Sequence, residues 1–129
     1  MTQVTPLPDF NDPDLAAALE RLGDPDMDAL PFGVIRLDSA GEVVTFNKAE
    51  RRLSGFGERK ALGLDFFTRI APCMGSDAFR GRLERARAAG RINIELTHIG
   101  DFEDAERELT VRIQSAADGG LWLFLRREG

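Results

Sequence analysis

Cys73 is the single cysteine of the chain, and it follows a proline in the run Phe66-Phe67-Thr68-Arg69-Ile70-Ala71-Pro72-Cys73. Upstream, Phe46-Asn47-Lys48-Ala49-Glu50 places one carboxylate on a short helix that follows a strand. A thiolate is a nucleophile and a point of covalent attachment. A carboxyl group in an apolar setting favours its protonated form and becomes a proton donor. Together the two residue types point to a covalently tethered group with an acid beside it. The plainer readings are a buried thiol acting as a small hydrophobe and a glutamate on the solvated face of its helix. The residues by themselves leave both open.

One folded domain must position these groups. A chain of 129 residues can bury one core but not two. Its 43% apolar and 30% charged residues are the composition of a globular protein rather than a disordered one. A lone cysteine excludes an internal disulfide and fits a reducing compartment, so a cytoplasmic location is expected. Met1 to Phe10 has neither a basic stretch nor an apolar one, so no signal peptide is expected. No apolar run reaches the length of a membrane span. A net charge of -5 argues against nonspecific nucleic-acid binding, which needs a positive surface. Neither a membrane nor a nucleic acid is therefore an expected partner.

Turn signals divide the chain into short elements. Asn11-Asp12-Pro13 predicts a helix start, with a capping side chain and then a proline in the first turn; Leu15 to Leu22 continues the helix and Gly23 ends it. Asp24 to Leu30 reads as a turn or short helix. Phe32 to Asp38 and Val43 to Phe46, joined through Ser39-Ala40-Gly41-Glu42, read as a β-hairpin. Asn47 caps a helix reaching Ser54, with Gly55 as its stop, and Glu50, Leu53 and Ser54 share one of its faces. Glu58 to Leu62 and Asp65 to Ile70 follow as short helical pieces, the second ended by Ala71-Pro72. Ser76 or Asp77 opens a longer helix with Phe79, Leu83 and Ala86 at helical spacing, closed by Gly90. Arg91 to Ile99, Glu106 to Gln114 and Gly120 to Arg127 complete five strands.

This order of elements, ββ-αααα-βββ, is that of a PAS domain. The local residues further resemble the photoactive yellow protein family. The similarity runs through Met27-Asp28-Ala29-Leu30-Pro31-Phe32-Gly33-Val34-Ile35-Arg36-Leu37-Asp38, Gly41 and Phe46 to Glu50. It peaks at Gly63-Leu64-Asp65-Phe66-Phe67 and Ile70-Ala71-Pro72-Cys73, and continues through Phe79 and Gly90 to Trp122-Leu123-Phe124. Glu95 to Glu106 matches least. The resemblance implies an α+β PAS fold: a five-stranded antiparallel sheet, a helical layer over one face, a PAS core over 27–129 and an N-terminal helical cap over 1–26.

It also implies a blue-light photoreceptor carrying p-coumaric acid as a thioester on Cys73. In that setting Glu50 is the hydrogen-bond donor to the phenolate and, after photoisomerisation, the source of a transferred proton. The new buried carboxylate then loosens the helical layer into a partly unfolded signalling state. Pro72 holds the Cys73 loop, and Phe66, Phe67, Phe79 and Phe124 exclude water. The positive end of the helix that starts near Ser76 faces the thioester. The implied partner is an unknown downstream signalling protein, and the expected state is a monomer or weak dimer.

Three positions depart from the family pattern. The chain has no tyrosine, and Phe46 stands where the family has the tyrosine that donates to the phenolate. Ser54 replaces the supporting threonine, and Phe56 replaces an arginine that covers the pocket. One hydrogen-bond donor is thus gone, for which Ser54 or a water must substitute. His98 alone is thin support for haem, and Cys73 lacks the surroundings of a flavin-binding light sensor. No second catalytic base accompanies Cys73, so an enzyme is not expected. The alternative is a non-photoactive PAS module that binds another small ligand or a protein.

Overall fold

Strands β1 (Gly33–Leu37) and β2 (Val43–Phe46) pair antiparallel in the expected hairpin. Asp38 shapes its turn: the Ala40 and Glu42 amides donate to Asp38 Oδ1 at 2.9 and 3.0 Å. Gly41 supplies the left-handed residue, with φ of 87°. The computed structural model describes residues 8–53, 61–66, 69, 77–88, 90, 92–100, 108–117 and 119–127, for some of them the backbone only.

Three further strands, β3 (Asn93–Gly100), β4 (Glu108–Ser115) and β5 (Leu121–Arg127), extend the hairpin into a five-stranded antiparallel sheet of order β2-β1-β5-β4-β3. The last two strands meet the first through β5, which pairs with β1 from Gly33↔Leu125 to Leu37↔Leu121. At that corner Gly120 has no room for a side chain, since a Cβ there would collide with the Leu37 carbonyl oxygen.

Alternation along the strands assigns the two faces. Ile35, Leu37, Phe46, Val111, Ile113, Leu121, Leu123 and Leu125 form an inner cluster. Leu83, from helix α4 (Asp77–Ala88), packs into it, with Ala86 against its edge. That is the helical layer the sequence predicts. On the outer face, Val34, Trp122 and Phe124 join Phe10 and Phe32. Covering them are Leu15 and Leu19 of α1 (Leu15–Leu19) and Met27 of α2 (Asp24–Asp28). Burying each leucine contributes roughly 1.5–3 kcal/mol. Among the described residues no helix is long and apolar enough to cross a membrane.

Two expectations are corrected here. Helix α1 starts at Leu15 rather than next to Asn11, and Asp14 at its N-cap makes no side-chain capping bond. The preceding backbone is engaged elsewhere: Arg112 Nη1 donates to the Phe10 and Asp12 carbonyls, and Gln114 Nε2 donates to the Pro13 carbonyl at 3.0 Å. Phe124 lies on the outer face with Trp122, ring centroids 6.1 Å apart, not on the side of the helical layer. Its neighbours Leu123 and Leu125 take the inner positions, and a period of two leaves Phe124 only the other face.

Candidate functional site

Helix α3 (Lys48–Leu53) follows β2 directly, and Asn47 joins them. Asn47 is buried at 2% exposure, with every direction of its amide engaged. The Val34 and Glu50 amides donate to its Oδ1 at 2.9 and 3.1 Å. Its Nδ2 donates to the Met27 and Phe32 carbonyls at 2.8 and 3.1 Å. The bond from the Glu50 amide is the N-cap the sequence predicts. The other three bonds tie α3 to β1 and to the chain entering it, which sequence spacing does not show.

Those ties decide where Glu50 goes. A glutamate in the third helical position often reaches back to the N–H of the capping residue. Here the Asn47 N–H donates to the Val34 carbonyl at 3.0 Å, so the strand takes that donor. Glu50 instead turns inward and is wholly buried, at 0% exposure. Its carboxyl group lies against Gly33: a Cβ on Gly33 would collide with Oε1 and stand 3.0 Å from the carboxyl carbon. Gly33 precedes Ile35 and Leu37 by the strand period, so Glu50 sits on the inner face of the sheet. The solvated-helix reading of Glu50 is excluded. Sequence reasoning missed Gly33; its signal was a glycine at the first position of a strand that continues with the branched, apolar Val34 and Ile35.

Phe46 and Phe66 are buried in the inner cluster, at 4% and 0% exposure. Phe46 pairs with Ile35 across the hairpin. Phe66 is held by the segment that laces onto the hairpin end: the Val43 amide donates to the Leu64 carbonyl, Gly63 to Val43, and Phe66 to Gly41. A helical turn follows, with the Arg69 amide donating to the Asp65 carbonyl at 2.9 Å. The structure thus brings Glu50, Phe46 and Phe66 to one side of the sheet. Cys73, Pro72, Ser54 and Phe56 lie outside the described residues, as do Phe67 and the Phe79 side chain.

A tethered aromatic acid needs apolar walls and one polar contact for its ionisable end. Among the described residues, the inner face offers the Phe46 and Phe66 rings, Ala61 and one buried carboxyl group, that of Glu50. Without a hydroxyl, Phe46 adds wall but no donor.

No protein-family model matches this chain. A photoactive yellow protein from Rhodothalassium salexigens is 32% identical over 119 residues, which cover 92% of this chain and 95% of that protein. The chain belongs to the photoactive yellow protein family. Among solved structures, the photoactive yellow protein domain of the sensor histidine kinase Ppr from Rhodospirillum centenum superposes with a TM-score of 0.70 at 30% identity. That match covers 84% of this chain and 95% of the domain. A PAS domain from Colwellia psychrerythraea shares the fold at 13% identity and a TM-score of 0.60, covering 81% of this chain. The fold is therefore the expected PAS arrangement, and this member of the photoactive yellow protein family buries Glu50 and contains no tyrosine.

Proposed function

We propose that this chain is a blue-light photoreceptor that holds p-coumaric acid as a thioester on Cys73, with Glu50 as the proton donor. The observation carrying the reading is the Glu50 carboxyl group, fully buried against Gly33 on the face that also presents Phe46 and Phe66. When bound, the group would supply visible absorption and a light-driven isomerisation of its double bond. Everything else falls to the protein.

Cys73 anchors, and Pro72 restricts the backbone around it. Phe46 and Phe66 keep water from the site, which strengthens any hydrogen bond made there. Glu50 is stored more cheaply as the neutral acid than as an ion, because burial penalises the charged form. In that form its O–H can donate, and it holds one proton ready to give. Losing that proton leaves a carboxylate in an apolar cluster, at a cost of several kcal/mol unless it is paired. Helix α3 carries Glu50 and packs on β1, so the cost of that charge falls on the contact between the helix and the sheet. Proton transfer thereby becomes a structural signal for a downstream protein. In this reading Ser54 is the substitute hydrogen-bond donor to the phenolate, Phe56 stands where the family has a pocket-covering arginine, and the host compartment is the cytoplasm.

The test is reconstitution with p-coumaric anhydride, followed by intact mass and visible absorption. The thiol should take up one hydroxycinnamoyl group with release of p-coumarate, and a visible band should appear. Cys73→Ala should show neither. An unmodified wild type would overturn the proposal and leave a PAS binding module.

A second expectation concerns Phe46. A donor hydroxyl to an ionised phenolate contributes about 1.5–3 kcal/mol. Phe46→Tyr restores one, so it should favour the phenolate by roughly tenfold or more in proton concentration on a spectral titration. It should also sharpen the main band or shift it to shorter wavelength. An unmoved midpoint means that Ser54 already supplies the bond or that Phe46 does not face the phenolate. Adding Ser54→Ala separates those two cases.

A further inference from the structure

On the outer side of α3, at the β2 edge of the sheet, lies a cleft of about 250 Å³. Val44 and Leu62 line it at 48% and 41% exposure, and they are the exposed large hydrophobic residues among those described. Two cations stand beside them. Lys48 is exposed; Arg51 is half-buried, with Nε donating to the Phe46 carbonyl at 3.3 Å. Among the described residues neither is in an ion pair. Among the described residues Asp28 is the carboxylate of the lining, and its Oδ1 accepts the Lys48 backbone amide at 2.9 Å, an engagement with the start of α3 rather than with either cationic head. On a chain of net charge -5, two cations next to two bare aliphatic side chains mark this patch as different from its surroundings.

We propose that this cleft docks an acidic peptide segment of a partner protein. One apolar side chain would seat between Val44 and Leu62, and a neighbouring carboxylate would pair with Lys48 and Arg51. The volume suits one or two side chains. The openness of the rim argues against a small free ligand: such sites bury most of the ligand's surface, whereas Val44 and Leu62 stand more than 40% exposed. Exposed ion pairs make the contact weak and salt-dependent. The surface also has a reason to lie here. Helix α3 turns Glu50 inward while Lys48 lines the cleft, so a shift of the helix is felt at the docking site. The docking itself does not rest on the photoreceptor reading.

The experiment titrates ¹⁵N-labelled full-length protein with an octapeptide carrying one leucine flanked by glutamates, at low and at high salt. Amide shifts should appear at Val44 to Lys48 and at Leu62, and binding should weaken as salt rises. Lys48→Glu should weaken binding about fivefold or more. Leu62→Ser, at an exposed position, should do the same without touching charge. Each variant's own amide spectrum shows that it is folded. Cys73→Ala should bind the peptide as the wild type does, which separates failure of this proposal from failure of the pigment. Absence of shifts at these amides would overturn it, as would binding unaffected by Lys48→Glu. Equal or stronger shifts with sodium decanoate in place of the peptide would overturn it in favour of a small apolar acid.

Discussion

Asn47→Ala should lower the stability of the fold by about 3 kcal/mol, read as a shift in urea midpoint at constant slope. The substitution removes four hydrogen bonds at once, from the amides of Val34 and Glu50 and to the carbonyls of Met27 and Phe32. A lost N-cap alone costs about 1 kcal/mol. The larger share comes from the Val34 N–H, because Val34 has 0% exposure and no water can replace the lost acceptor. Asn47→Asp discriminates further. Its carboxylate would keep the two accepted bonds but turn an anionic oxygen on the Met27 and Phe32 carbonyls. The two accepted N–H bonds favour the charged form, but burial and carbonyls at 2.8 and 3.1 Å from the second oxygen oppose it, and the expected net effect is a folded pKa above the unfolded value. By linkage the variant should be most stable in acid and lose stability as pH rises through the folded pKa. A cost below about 1 kcal/mol for the alanine variant would show that Asn47 does not hold α3 to the sheet.

The second large effect is expected at Gly33. Gly33→Ala places a methyl group where Glu50 Oε1 now lies. The carboxyl group is the end of a flexible side chain, but at 0% exposure it has little room to swing. Overpacking of this kind costs about 1–3 kcal/mol. The test is a double-mutant cycle with Glu50. In a Glu50→Ala background the clashing atom is gone, and the cost of Gly33→Ala should fall by at least about 1 kcal/mol; in a Glu50→Gln background it should persist. Equal costs in all three backgrounds would mean that the two residues do not meet. Under the proposed function the same variants also bear on the pigment. Glu50→Gln keeps a donor but removes the transferable proton, so it should shift the absorption band and change bleaching and recovery rates. Gly33→Ala, by displacing the carboxyl group, should move the band without altering residue 50.

Much of this molecule was legible locally. The Asp38–Gly41 turn, the hairpin it joins, the capping role of Asn47 and the helix carrying Leu83 and Ala86 all follow from short-range rules: alternation, capping and glycine stops. Those signals are local because the hydrogen bonds behind them close within a few residues. Strand ends shift by a residue from their expected places, as at Gly33–Leu37 against Phe32 to Asp38, because the end of a ladder leaves no sharp mark in the sequence. The helix expected from Asn11 starts later because its backbone carbonyls serve side chains of β4, about one hundred residues away. No window around Asn11 contains that information.

The sequence by itself determined the order and type of the elements, the resemblance that names the family, and the pairing of one thiol with one carboxyl group as the chemistry to look for. Tertiary structure decided which face each residue meets. Thr110, Arg112 and Gln114 alternate with apolar residues on β4, yet all three are buried at 9% exposure or less. The N-terminal segment covers Arg112 and Gln114 and supplies backbone groups for both to bond. Trp122 is buried in the same way, with Nε1 donating to Glu20 at 2.6 Å. Phe124 follows Trp122 to that face, away from the candidate site. Glu50 is the converse, a charged residue type on a short helix that ends in the core because Gly33 leaves space for its carboxyl group. Period-two and period-3.6 patterns say which residues share a side, whereas burial depends on what arrives from elsewhere in the chain to cover that side.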